Sequence, residues 1–181
     1  MKNNIQSLLA RLVTFFAGPM LVLLLCGGAS AEDAKPADAN PWVVNCASGS
    51  TGTELQCQVS QNLTESKSGQ RVLTVTVRRP KGASGFAMLL ALPHGLFLPS
   101  GVSYRVDTGQ KATVAIQTSD QNGAYAALPL APELVKAMRS GATLTIGMET
   151  VGRKPVAIPV SLKGFSAAID KLEATDVQHD R

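Results

Sequence analysis

Between Val72 and Leu162 apolar residues repeatedly fall on every second position, in runs too short to be helices. Val72 to Val77 sets Leu73, Val75 and Val77 on one side and Thr74 and Thr76 on the other. Lys111 to Thr118 does the same with Ala112, Val114 and Ile116, and Ala142 to Met148 with Leu144, Ile146 and Met148. Val156 to Leu162 adds Val156, Ile158, Val160 and Leu162. A period of two buries one face only in a sheet, so these runs are strands. Further strands are expected at Trp42–Cys46, Leu55–Ser60, Phe86–Leu92, Val102–Asp107 and Tyr125–Leu128. About nine short strands, broken by Gly, Ser, Asn and Pro, predict an all-β fold: a compact β-sandwich with two short helices.

Pro132 to Ser140 carries the signals of the first helix. Pro132 starts it, Glu133 lies in its first turn, Arg139 in its last, and Gly141 follows. Leu134, Val135 and Met138 share a face that would lid the sandwich. The second helix is expected from about Ser166 to Leu172, with Phe165, Ile169 and Leu172 at helical spacing. A polar tail, 173–181, follows.

Residues 1–31 read as a secretory leader. Lys2 and Arg11 form its basic region, Leu12 to Cys26 is uncharged, and Ala29-Ser30-Ala31 is a small-residue cleavage pattern. Cleavage before Glu32 would give a periplasmic or secreted protein; an uncleaved inner-membrane anchor is the alternative. Pro19 and Gly27-Gly28 weaken a spanning helix, and bulky Leu25 argues against Cys26 as a lipoprotein cysteine. Residues 32–41 are polar and rich in Pro and Ala, a flexible lead-in, and the domain proper is expected over 42–172.

Losing the leader removes two basic residues and no acid, so the formal charge falls from +4 to +2. Neither a basic stripe nor a strong net charge remains, and nucleic acid is not expected as a partner. Cys26 also leaves, and Cys46 and Cys57 remain as a pair in a chain addressed to an oxidising compartment. One disulfide is therefore expected, closing the first hairpin. Ten intervening residues are far from the C-x-x-C spacing of redox pairs.

Catalytic patterns are thin. Asp107-Thr108-Gly109 imitates an aspartic-protease motif, but such chemistry needs two carboxylates sharing a proton, and Gln110 follows where a small residue belongs. Asp107 is read as part of a hairpin turn, with Asp capping and Gly supplying positive φ; a hydrolase using Asp107 is the lesser, enzymatic alternative. Gly82-Ala83-Ser84-Gly85 lacks the spacing of a nucleophile elbow. The two histidines, His94 and His179, stand apart from any acidic cluster, and no Gly-rich phosphate loop precedes a helix. No metal and no cofactor are expected. Asn62-Leu63-Thr64 is a glycosylation sequon that matters only in a glycosylating host.

The most unusual segment runs from Leu92 to Gly101, where His94, Leu96, Phe97 and Leu98 sit inside a frame of Pro and Gly. Folded under, it would cover an open end of the sandwich; exposed, it would dock a partner or touch a membrane. It is the candidate interaction loop.

Taken in order, several segments resemble the invasion-associated locus B family of bacterial exported proteins. They are Trp42-Val43-Val44-Asn45-Cys46, Cys57-Gln58-Val59-Ser60-Gln61, and Leu92-Pro93-x-Gly95-x-x-Leu98-Pro99-x-Gly101-Val102 with the Asp107 turn. Leu134-x-x-Ala137-Met138-x-x-Gly141 and Ser161 to Ala168 complete the pattern, which covers about Trp42 to Leu172. The resemblance implies a Gram-negative envelope protein with a compact β-sandwich-like domain and brings no catalytic residues with it. Some members of that family are associated with host-cell invasion. Members usually carry a second cysteine pair as C-x-x-x-G-C; here Ser119 and Ala124 occupy those positions, and the loop Thr118–Tyr125 is expected to be looser. The resulting expectation is a non-enzymatic, exported binding domain with an envelope or host protein as partner. A structural or stress-related envelope component is the alternative.

Overall fold

The computed structural model describes residues 40–48 and 55–179. The leader and nearly all of the lead-in lie outside the described residues. Ten strands, two helices and one 3₁₀ turn make up the domain. A six-stranded sheet has the order β1-β2-β3-β4-β8-β7, with β1 Val43–Ser48, β2 Leu55–Thr64, β3 Arg71–Arg78, β4 Phe86–Leu92, β7 Thr118–Asp120 and β8 Gly123–Leu130. A four-stranded sheet has the order β10-β9-β5-β6, with β5 Val102–Val106, β6 Ala112–Val114, β9 Thr143–Glu149 and β10 Pro155–Ser161. Every named strand pairing is antiparallel.

The alternation in the sequence decides which face each strand buries. Leu73, Val75 and Val77 of β3 face Met88, Leu90 and Leu92 of β4 in a common core, all fully or almost fully out of water. Leu144, Ile146 and Met148 of β9, with Val102 and Val160, close that core from the other sheet. Each such aliphatic side chain contributes about 1.5–3 kcal/mol on leaving water. The result is the expected two-layer all-β fold.

The stretch Lys111 to Thr118 differs from expectation for a tertiary reason. Lys111 to Thr118 is not one strand: β6 pairs with β5, whereas β7 pairs with β8 in the other sheet. The chain changes layers at residues 115–117, so Val114 at the end of β6 and Ile116 in the crossing itself both turn toward the core. Ten strands therefore replace nine.

Helix α1 spans Pro132–Ser140 as expected, and its Met138 is wholly buried with Leu134 and Val135 packed beside it. Helix α2 is longer than expected. It begins at Phe165 and continues past Leu172 to His179. Arg139, from the last turn of α1, pairs with Asp170 at 2.5 Å and Glu173 at 3.2 Å, tying those turns of α2 to its neighbour. Hydrogen bonding to Asp170, its main electrostatic gain, raises the Arg139 pKa further above its already high ordinary value.

Cys46 and Cys57 form a disulfide between directly opposed residues of β1 and β2. The bridge closes a loop of sequence separation 11. Replacing both cysteines with serine is expected to lower stability by about 2–3 kcal/mol in the chain-entropy account. Urea unfolding of the two proteins measures it; a loss below about 0.5 kcal/mol, the usual size of a neutral surface change, would mean that the hairpin needs no staple.

Candidate functional site

The segment between β4 and β5 does not hang free. Gly95 turns at φ +78°, and its carbonyl accepts the Val151 amide at 2.8 Å. Leu96 forms a single β-bridge with Thr150 and packs against the core. The Phe97 amide donates to the Glu149 carbonyl at 2.9 Å, and residues Leu98–Ser100 close as a 3₁₀ turn. The loop is thereby laid along the β9–β10 hairpin, residues 150–154.

Side chains lock the two loops together. The Arg153 guanidinium stacks 4.1 Å from the centre of the Phe97 ring and its Nε lies 3.0 Å from Glu149 Oε2. Ser100 Oγ donates to the same carboxylate oxygen at 2.8 Å. Arg153 holds φ +61°, a conformation a non-glycine residue adopts only when its surroundings fix it. Leu96 is thus drawn in and Phe97 is half covered by a cation. Leu98 stays 40% exposed, and Val151 on the facing loop is 70% exposed. The segment covers the end of the sandwich and also leaves two apolar side chains in water.

A third loop joins them. His94 Nε2 lies 3.0 Å from the Gln121 carbonyl. A carbonyl can only accept, so the bond requires the proton on Nε2. Gln121 and Asn122 form the two-residue turn of the β7–β8 hairpin. The candidate loop and the β7–β8 hairpin therefore meet at one end of the domain.

Ser119 and Ala124 are directly opposed across β7 and β8, as Cys46 and Cys57 are across β1 and β2. Polar bonds hold the hairpin that carries Ser119 and Ala124. Asp120 Oδ1 accepts the Asn122 amide at 2.7 Å and the Tyr125 hydroxyl at 3.1 Å. Arg71 Nη2 donates to the Asn122 carbonyl at 2.6 Å while Nη1 reaches the Ala91 carbonyl at 3.2 Å. Residues 118–125 form a tight turn tied to β3 and β4.

The Asn122 backbone amide, above all, holds the Asp120 carboxyl below the usual aspartate value, with the Tyr125 hydroxyl helping against a small desolvation penalty. Desolvation first, and the Asp120 charge second, push the Tyr125 phenol above its ordinary value. The sign for Asp120 follows from linkage. A lowered folded pKa stabilises the hairpin above the unfolded value and stops doing so as pH falls through the folded one. In an acid titration the Asn122 amide resonance should therefore move with a midpoint below 3.8, the ordinary aspartate value. A midpoint at or above that value would show that the amide bond does not form.

Asp107 sits elsewhere and is fully employed. It holds φ +45°, its Oδ1 accepts the Thr143 amide at 2.9 Å, and its Oδ2 accepts the Ala142 amide at 3.1 Å. The carboxylate clasps the chain between α1 and β9, beside Gly141, where a Cβ would press on Val106 and on Asp107 itself. Ser84, of the incomplete nucleophile motif, lines a shallow depression between Pro80 and Leu130 with no histidine in it. Among the described residues, no three His, Cys, Asp or Glu side chains gather as a metal site.

Sequence reasoning singled out the loop but missed Val151, Arg153, Glu149 and Arg71. The turn at 151–154 is visible in the sequence, but its place against Phe97 depends on β9 lying beside β5.

These features define a disulfide-bonded β-sandwich domain whose connecting loops converge at one end. A family model described as invasion associated locus B (IalB) protein matches residues 42–173, and the chain belongs to that family. Invasion protein B homologues of Brucella abortus, from strain 2308 and from biovar 1 strain 9-941, are each 32% identical over 151 residues, covering 83% of this chain and 84% of theirs. The crystal structure of invasion associated protein B from Bartonella henselae superposes with a TM-score of 0.69 at 22% identity, covering 76% of this chain and 94% of that one. That likeness is one of fold.

Proposed function

We propose that this protein is an exported envelope protein that acts as a non-enzymatic interaction domain. Its contact surface is the end built from loops 93–101, 121–122 and 150–154, and its partner is an envelope or host protein. One observation carries the reading: Leu98 and Val151 are exposed on two loops fixed to each other by backbone bonds and by the Arg153–Phe97 stack. An ordered apolar pair beside a cation supplies the kind of anchor that interfaces concentrate their energy in, without the cost of ordering a mobile loop. The leader pattern and the names of the Brucella relatives support export and host contact.

Site-specific photo-crosslinking in intact cells tests it, with the probe at Leu98, at Val151 and, as a control, at Lys136 on α1. A discrete adduct is expected from the first two positions only. Leu98→Asp should reduce capture from Val151 by about tenfold, the scale of losing one anchor residue. Equal capture from all three positions, or none from Leu98 and Val151, would overturn the reading. A deletion strain with leaky membranes and no adduct would point instead to a structural role.

A further inference from the structure

A groove of about 460 Å³ crosses the four-stranded sheet on the face turned away from the core. Its size is that of a small-ligand site. The register sets Ser103 of β5 opposite Gly147 of β9, and Gly147 opposite Ala157 of β10, so a row of small residues makes the floor. A Cβ at Gly147 would collide with Ser103 Oγ, which lies over it and donates to its carbonyl. Nothing taller than a hydroxyl stands on this row, and the backbone of a ligand can lie close to it.

The two ends of the groove carry opposite charge. Arg105, opposite Thr145, and Lys111 line one end, both exposed, and neither has a bonding partner among the described residues. By contrast, Arg71 is engaged by carbonyls, Arg139 by two acids and Arg153 by Glu149. Glu149 lines the opposite end, where its Oε2 takes both the Ser100 and the Arg153 bonds and Oε1 takes none. Thr145 and Glu149 are four residues apart on one strand, about 13 Å at the usual strand rise. An extended peptide of roughly four residues has the same span.

We propose that this groove binds a short extended peptide, with its free carboxylate on Arg105 and Lys111 and its amino end on Glu149. Charge complementarity at both ends fixes the direction of the chain, and the Ser103–Gly147–Ala157 row accepts small side chains. The groove adjoins the loop contact proposed above and shares Ser100 and Glu149 with it, but it is read by amide shifts and not by crosslinks, so a failure to crosslink at Leu98 or Val151 leaves it standing.

Backbone-amide chemical-shift mapping with tetra-alanine bearing free termini is the test. Saturable shifts are expected at Ser103, Thr145, Gly147 and Ala157. The same peptide with an amidated C-terminus should bind about tenfold more weakly, as should the free peptide to Arg105→Ser/Lys111→Ser. Both substitutions lie on the surface, and unchanged core amide shifts will show that the variant is folded. The proposal fails if the amidated peptide binds as tightly as the acid. It fails equally if inorganic phosphate alone gives the same shifts at the same affinity. Absence of groove shifts at up to about 10 mM peptide, the weak end of specific recognition, also overturns it.

Discussion

Trp42→Ala is expected to lower the stability of this domain by about 3–5 kcal/mol, the range for removing a large buried aromatic side chain. Trp42 is only 3% exposed although it lies just ahead of the first strand. Its ring meets Phe165 edge to face, with centroids 5.0 Å apart, and its Nε1 donates to the Ser161 carbonyl at 2.8 Å. One side chain thus joins the start of the domain to the end of β10 and the first turn of α2. The truncation leaves a cavity, an unpaired carbonyl and an exposed Phe165 face. Asn40 steadies the same junction, accepting the Trp42 amide at 3.0 Å and donating to the Gly164 carbonyl at 3.3 Å. Trp42→Phe should recover most of the packing and lose only the indole bond, about 1 kcal/mol. Chemical unfolding of the three proteins separates the two contributions. Equal losses for Ala and Phe would mean that the hydrogen bond, not the packing, dominates.

How much of this was legible in the sequence depends on whether the deciding interaction was local. Leu73, Val75 and Val77 alternate with threonines because one face of β3 is dry, and that pattern needs no knowledge of the partner sheet. The bounds of α1 are set by Pro132 and Gly141, both local signals. The Lys111–Thr118 stretch misleads because Val114, at the end of β6, and Ile116, in the crossing to β7, both turn to the same core while the chain changes sheets. Alternation survives the change of sheet, so periodicity alone cannot reveal it. Val156 shows the converse limit. It lies on the alternating face of β10 yet is 38% exposed, because β10 is the edge of its sheet. The far half of α2 was illegible for a third reason: its anchor, Arg139, belongs to another helix.

The candidate site divides the same way. His94, Leu96, Phe97 and Leu98 were visible as an oddity of composition, but their fates differ for reasons outside the segment. Leu96 is drawn in by Thr150, Phe97 is capped by Arg153, and Leu98 has no neighbour to cover it. Asp107 looked catalytic because its motif is short, and the structure uses it as a clasp on the Ala142 and Thr143 amides. Tertiary neighbours decide between those readings, and the local pattern does not contain them.

Gly123→Ala is the second large effect expected, at about 2–5 kcal/mol, combining backbone strain with a steric clash. Gly123 opens β8 at φ +144°, a conformation closed to residues with a Cβ. The added carbon would also run into the Leu92 carbonyl oxygen. Neither backbone can yield easily, since Leu92 pairs with Ala124 in the ladder and its side chain is wholly buried. The damage should spread along the hairpin, because Arg71, His94 and Asp120 all bond to residues 121 and 122. Gly69 is the control. It too has a positive φ, +68°, but a Cβ there would meet nothing within 4 Å. Gly69→Ala should therefore cost only the strain of a left-handed residue, about 1 kcal/mol. If thermal or urea unfolding gives equal losses at the two positions, the approach of β8 to Leu92 is not what requires glycine. A larger loss at Gly123, with the Asn122 and Tyr125 resonances shifted, would show that close packing against β4 maintains the β7–β8 hairpin.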